Sequence, residues 1–285
     1  YIQSIKLKKL IPNVLLDQYP KGFGESFFIE HWKKLLKTIS FKQIISPIPI
    51  KPKDVEKIKN ITYYSDNKIN LKLDIFRLYN FKNNSPVLLW IHGGGWVWGS
   101  RKTQGLPLIY HMTKNGWICV SISYRLSPKA TYPDHLIDVK RALVWIKKNI
   151  SEYGGNPDFI CVSGGSAGGH LAAMLALTAN QHEFQPGFEN ENTNVCGCVS
   201  LYGVLDLTNS QNYEKHSGLR WLLEKCVLKV PYQKNQNLYK KASPIFQISQ
   251  NPPPFFVICG SNDSIINPKT SKYFVEKFRE KEKNP

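Results

Sequence analysis

Residues Phe159 to His170 read FICVSGGSAGGH, and this stretch decides the fold. Phe159 to Ser163 is a short apolar run of the buried-strand kind, and Ala167 to Ala179 is small, apolar and long enough for a helix. Between them stands Gly164-Gly165-Ser166-Ala167-Gly168. Gly164 and Gly168 allow strand and helix to approach closely while the backbone turns at Ser166, which lifts its hydroxyl above the sheet. Ser166 is therefore the candidate nucleophile. The amino terminus of the following helix favours negative charge, so the Ala167 N–H is a candidate donor to an oxygen anion.

Working outward, the same form repeats. Val87 to Ile91, Ile118 to Ser123, Val195 to Leu201 and Phe255 to Cys259 are further apolar runs, and Leu71 to Tyr79 alternates Leu71, Leu73 and Ile75 with Lys72 and Asp74. Val55 to Tyr64 precedes it as an antiparallel partner. Leu106 to Lys114, His135 to Lys148 and Pro268 to Lys281 read as helices. Alternating buried strands and helices predict an α/β fold with a mainly parallel central sheet covered on both faces, with function at the carboxyl ends of the strands. Residues 1–54, with a helical candidate at Phe27 to Ile39, read as an N-terminal appendage or partial cap, and 55–285 as the main domain. Within that domain the stretch of about 205–248 is too long for a connection and is expected to be a small helical cap, with Leu219 to Val230 helical.

A second glycine-rich turn complements the serine. Trp90 to Gly99 reads WIHGGGWVWG, and glycines directly after a buried strand let consecutive amides face one concavity. Gly94 and Gly95 are the expected donors, with His92 and Gly93 as supports of the loop. Trp96 and Trp98 beyond the glycines, and Leu219, Trp221 and Leu222 in the cap, are expected to line an apolar pocket. The acid is sought in a polar turn after a later buried strand, and Asp263 in Gly260-Ser261-Asn262-Asp263 follows Phe255 to Cys259 in the order serine then acid. Asp206 is the weaker rival.

These residues carry a resemblance. His92 to Gly95 and Gly164 to Gly169 resemble the HGGG and GxSAGG segments of the hormone-sensitive-lipase-like esterases, an α/β-hydrolase family, over roughly Val55 to Arg279. The segments Tyr124 to Pro128 and Tyr132-Pro133 with Asp138 resemble structural elements of that family, whereas Gly165 stands where its members often carry Asp. The resemblance implies ester hydrolysis through an acyl-enzyme on Ser166, with short to medium apolar acyl esters as substrates and neither cofactor nor metal. The alternatives are an arylformamidase-like amidase and an inactive esterase-like binding protein or fragment. In such a fold the base follows the acid, yet His31, His92, His111, His135, His170, His182 and His216 all precede Asp263. The expectation is therefore a chain truncated before its catalytic histidine, with the C-terminal strand and helix missing, and with reduced turnover.

Composition bounds the rest. The chain has 285 residues, 42% hydrophobic and 21% charged, which excludes a disulfide-stapled module and a disordered tail. A net charge of +17 arises from 38 Lys and Arg against 21 Asp and Glu, but without an arginine cluster or a nucleic-acid motif. The expected partner is a small-molecule ester and not nucleic acid, with peripheral or upstream membrane association and the oligomeric state left open. Six cysteines, several within apolar runs, point toward a reduced compartment, cytoplasmic or membrane-associated, with secretion left open.

Overall fold

The computed structural model describes residues 50–214 and 217–283. The expected appendage over 1–54 lies outside these apart from its last five residues, as do the helical candidate Phe27 to Ile39, His31 and His216. Seven strands form one sheet: β1 (Val55–Ser65), β2 (Asn70–Leu78), β3 (Ser85–Ile91), β4 (Ile118–Ile122), β5 (Gly155–Gly165), β6 (Gly197–Leu201) and β7 (Phe255–Ile258). Their order is β1-β2-β4-β3-β5-β6-β7, with β2 antiparallel to both its neighbours β1 and β4 and the remaining pairs parallel.

The strands follow from their side chains. In β3 and β4 nearly every residue is buried, because the central strands are covered on both faces. In β1 the ladder slips between Ile58 and Ile61, where Asn60 takes a left-handed φ of 62° and donates its amide to Asp74 Oδ1 at 2.9 Å. Asp74 is buried on β2 and is also met by Lys57 and Arg101.

The helices are α1 (Leu106–Lys114), α2 (Asp134–Asn149), α3 (Ala167–Leu177), α4 (Ser217–Leu222), α5 (Gln236–Lys241) and α6 (Pro268–Lys283). In α2 the residues Leu136, Val139, Leu143 and Ile146 recur on one face and pack on the sheet. The α3 helix is buried all round, which is why it is built from Ala, Gly and Leu. The α1 helix covers the opposite face, over Leu88, Trp90 and Cys119.

The expectation of a missing C-terminal strand and helix is corrected here. β7 joins the sheet beside β6, and α6 is present, with Phe274 and Phe278 buried together with Ala173 and Leu177 of α3 and with Phe255 packed against them. The opposite side chains of β7, Phe256 and Ile258, are 46% and 43% exposed. The predicted cap helix Leu219 to Val230 is also shorter than read: α4 gives way to a π-helical turn over Leu223–Val227. The base of the insertion is closed by Leu207 N–H to Ser243 Oγ at 2.8 Å and Ile245 N–H to the Leu205 carbonyl at 3.1 Å. Among the described residues no helix is long and apolar enough to cross a membrane.

Candidate active site

The turn between β5 and α3 is fixed by the absence of side chains. A Cβ on Gly164 would lie 2.4 Å from the Gly168 carbonyl oxygen, one on Gly168 2.2 Å from that of Ile91, and one on Gly93 2.5 Å from that of Gly165. Strand, helix and oxyanion loop thus interpenetrate at backbone distance. The consequence falls on Ser166, which is driven to φ 55° and ψ −119° and held there by its amide bond to the Leu201 carbonyl at 2.9 Å. Backbone strain of this kind costs about 1–3 kcal/mol and persists only where the surroundings over-determine it.

The oxyanion loop leaves β3 with the same economy. A Cβ on Gly94 would sit 2.1 Å from the Trp98 carbonyl oxygen, and Gly94 and Gly95 have φ of 116° and 58°. The Gly93 amide donates to Gln104 Oε1 at 2.8 Å, whereas the amides of Gly94 and Gly95 have no partner among the described residues. His92 is buried, stacks on Tyr124 at 4.4 Å, and donates from Nδ1 to the Gly93 carbonyl at 2.9 Å. Burial, with Arg101 nearby, holds its pKa below the ordinary imidazole value despite that carbonyl. Arg101 in turn anchors the far end of the loop, donating from Nε to Asp74 Oδ1 at 3.1 Å, while Ser121 Oγ donates to its carbonyl.

Asp263 follows β7. Its Oδ1 accepts the amides of Ile265 and Ile266, both at 2.9 Å, so one oxygen fixes the turn and the other has no hydrogen-bond partner among the described residues. Glu214 clasps the next residues: Oε1 accepts the Asn267 amide at 2.8 Å, and Asn267 Nδ2 donates to the Tyr213 carbonyl at 2.8 Å. The rival Asp206 has both oxygens committed to Thr208 and Ser210 of its own turn, which makes it a structural carboxylate.

A single cavity of about 960 Å³ brings these parts together. Gly93, Gly94, Gly95, Trp96, Trp98, Ser166 and Asp263 line it, with Leu219 and Leu222 from the cap. Ser166, Gly93, Tyr202 and Asp263 come from the carboxyl ends of β5, β3, β6 and β7, where a sheet of this topology gathers its ligands. Trp221 is different: it is 60% exposed and is not among the lining residues, because its helical neighbours Leu219 and Leu222 take the inward positions. Tyr202, Gln104, Val204, Glu214 and Ile265 also line the cavity and were not expected. Tyr202, directly after β6, could have been found from the strand-end rule; Gln104 has no signal in the sequence.

The expectation of a site without a histidine is corrected as well. His170 stands one turn after Ser166 on α3, its amide bonded to the Ser166 carbonyl at 2.9 Å. The imidazole is buried between the oxyanion loop and the cap, with Trp96 Nε1 3.3 Å from Nδ1 and the Ala242 carbonyl 2.7 Å from Nε2.

A mainly parallel sheet with a strained serine elbow, a glycine-rich loop after β3 and an acid after β7 defines an α/β-hydrolase. The profile of the BD-FAE family matches residues 73–278, and the chain belongs to that family. This corrects the narrower placement among the hormone-sensitive-lipase-like esterases. From Mycobacterium tuberculosis, the probable carboxylic ester hydrolase LipM is 47% identical over 228 residues, 79% of this chain and 52% of its own, and the esterase LipQ is 43% identical over 78% of this chain and 52% of its own. The chain thus spans about half the length of the curated relatives it matches. Among solved structures, a truncated carbohydrate esterase from gut microbiota superposes with a TM-score of 0.71 at 22% identity, covering 81% of this chain and 86% of that one. Propionate-bound esterase 2 of Thermogutta terrifontis does so at 0.65 and 24%, over 80% and 79% of the two chains. Both likenesses concern the fold.

Proposed function

We propose that this chain hydrolyses carboxylic esters through an acyl-enzyme on Ser166, with short to medium apolar acyl groups as substrates. The observation that carries the reading is the shared cavity, in which the strained serine, the unpartnered Gly94 and Gly95 amides and the Asp263 carboxylate face the same space. Ser166 Oγ attacks the ester carbonyl, the oxygen anion is received by the Gly94, Gly95 and Ala167 amides, and the alcohol leaves with a proton. Water then releases the acid. Each oxyanion donor of this kind is worth about 2.7–4 kcal/mol in the transition state. The free oxygen of Asp263 orients the group that takes the serine proton.

Val204, Leu219, Leu222 and Ile266 give the cavity apolar walls, and Glu214 beside them disfavours acyl groups that carry a second carboxylate. The insertion over 205–248 acts as the cap. The relatives named as esterases support the reaction class, and six free thiols support a reducing compartment.

The test is a fluorophosphonate probe together with p-nitrophenyl butyrate. Mass spectrometry is expected to find the adduct on Ser166, and Ser166→Ala is expected to lower turnover by about 10⁶-fold. Faster turnover of an N-formyl arylamine than of any ester would favour an amidase instead. Absence of both the adduct and turnover would overturn the reading.

A further inference from the structure

We infer that His170 is a positioning residue of the oxyanion hole, which ties Trp96, and through it the Gly94 and Gly95 amides, to the serine helix and to the base of the cap at Ala242. The inference rests on the ester-hydrolysis reading of the cavity.

Trp96 follows Gly95 directly and is the place where the loop is most constrained. It takes a left-handed φ of 61°, which a large side chain adopts only when something else holds it. Its indole is 1% exposed and meets the His170 ring edge-on, with centroids 5.0 Å apart at 85°. The indole N–H can only donate, so at 3.3 Å it requires His170 Nδ1 to be the unprotonated nitrogen. The proton then resides on Nε2, where it is donated to the Ala242 carbonyl at 2.7 Å. The two contacts demand the same tautomer. Burial, which outweighs the carbonyl, pushes the ring's pKa down to about 4, in keeping with a neutral imidazole. A ring with both nitrogens committed has no lone pair left for the serine proton. Further along, the Ser127 amide holds the Trp96 carbonyl at 2.9 Å, so side chain and backbone of Trp96 are both pinned.

The two amide isosteres separate these contacts. Asn places an acceptor near the position of Nδ1, and Gln places a donor near that of Nε2. In the full chain, His170→Asn is expected to lower kcat about threefold and His170→Gln about thirtyfold, each with KM within about twofold. Trp96→Phe, which keeps the ring and loses the N–H, is expected to match His170→Gln, and the double variant to be no worse than either alone. The indole ¹H–¹⁵N resonance of Trp96, assigned by its loss in Trp96→Phe, is expected to shift in His170→Gln and to stay nearly in place in His170→Asn. Equal kcat losses for Asn and Gln, a loss carried by KM, or multiplicative single effects would overturn the inference. So would a loss above 10³-fold in His170→Asn, which would make His170 the base. If the wild-type chain turns over no ester, the proposed function fails while the resonance still decides: an indole signal indifferent to His170→Gln sinks the tie itself.

Discussion

The two walls of the cavity are held in opposite ways. On the Ser166 wall, backbone meets backbone wherever glycine permits, and a methyl group at Gly93, Gly164 or Gly168 would come within 2.5 Å of a carbonyl oxygen. On the Asp263 wall the turn is mostly exposed, with Ile265 72% exposed, and hydrogen bonds from Asp263 and Glu214 hold it in shape. Close packing resists displacement in every direction, whereas a few hydrogen bonds fix an orientation and let it be adjusted. A change on the Asp263 wall should therefore act on rate with little effect on stability, whereas one in the glycine contacts of the Ser166 wall should cost stability.

The sharpest test of that division is Asp263→Asn. Turnover is expected to fall about 10⁴-fold, as for an acid that orients its base, while the thermal midpoint stays close to wild type; a large drop in the midpoint would break the comparison. Gly168→Ala is expected to cost about 3 kcal/mol of stability in thermal unfolding, because its Cβ would strike the Ile91 carbonyl. A Gly168→Ala protein with wild-type stability would show that the elbow has slack. Glu214→Ala releases the Asn267 amide, and a loss of about 1.4 kcal/mol there reads as roughly a tenfold fall in kcat/KM; an unchanged value would mean that Asp263 holds its turn unaided.

Acid sensitivity probes the anchor of the oxyanion loop. Burial raises the pKa of Asp74, but the Asn60 amide, Arg101 and Lys57 more than offset it, so the folded carboxyl lies below its ordinary value. A depressed acid contributes stability above its unfolded pKa and loses it as pH falls through the folded one. Unfolding midpoints measured downward from neutral pH should therefore decline through the acid range in the wild type and more shallowly in Asp74→Asn; identical slopes would remove Asp74 from the loop's support. The smallest effect is expected for Trp221→Ala, with kcat/KM within about twofold and stability within about 0.5 kcal/mol, as for an exposed side chain away from a site. A marked KM change would return Trp221 to the pocket wall.

What the sequence made legible is what depends on local pattern. The strand runs around Val87, Ile118 and Phe159, the turn at Ser166 and the polar turn at Asp263 are each written in a dozen consecutive residues, and the two turns reach the cavity. What it hid depends on distant partners. Leu219, Trp221 and Leu222 are equally apolar in the sequence, and only the docking of α4 selects which of them face inward. The link between Trp96 and His170 spans 74 positions and uses an imidazole that by itself reads as ordinary packing. The expectation of a site without a histidine arose from chain order alone, and the placement of His170 beside the glycine-rich loop shows how little order says about where a ring ends up.

The insertion between β6 and β7 brings Glu214, Leu219 and Leu222 to the cavity, while Ser166 and the loop glycines stand on the strand ends. The same insertion also braces the walls that carry Ser166 and Asp263, through Ala242 at His170 Nε2 and Glu214 at the Asn267 amide. A lineage, or an engineer, can therefore rewrite Leu219 and Leu222 to suit a bulkier or more polar guest, provided that Glu214 and Ala242 keep their contacts.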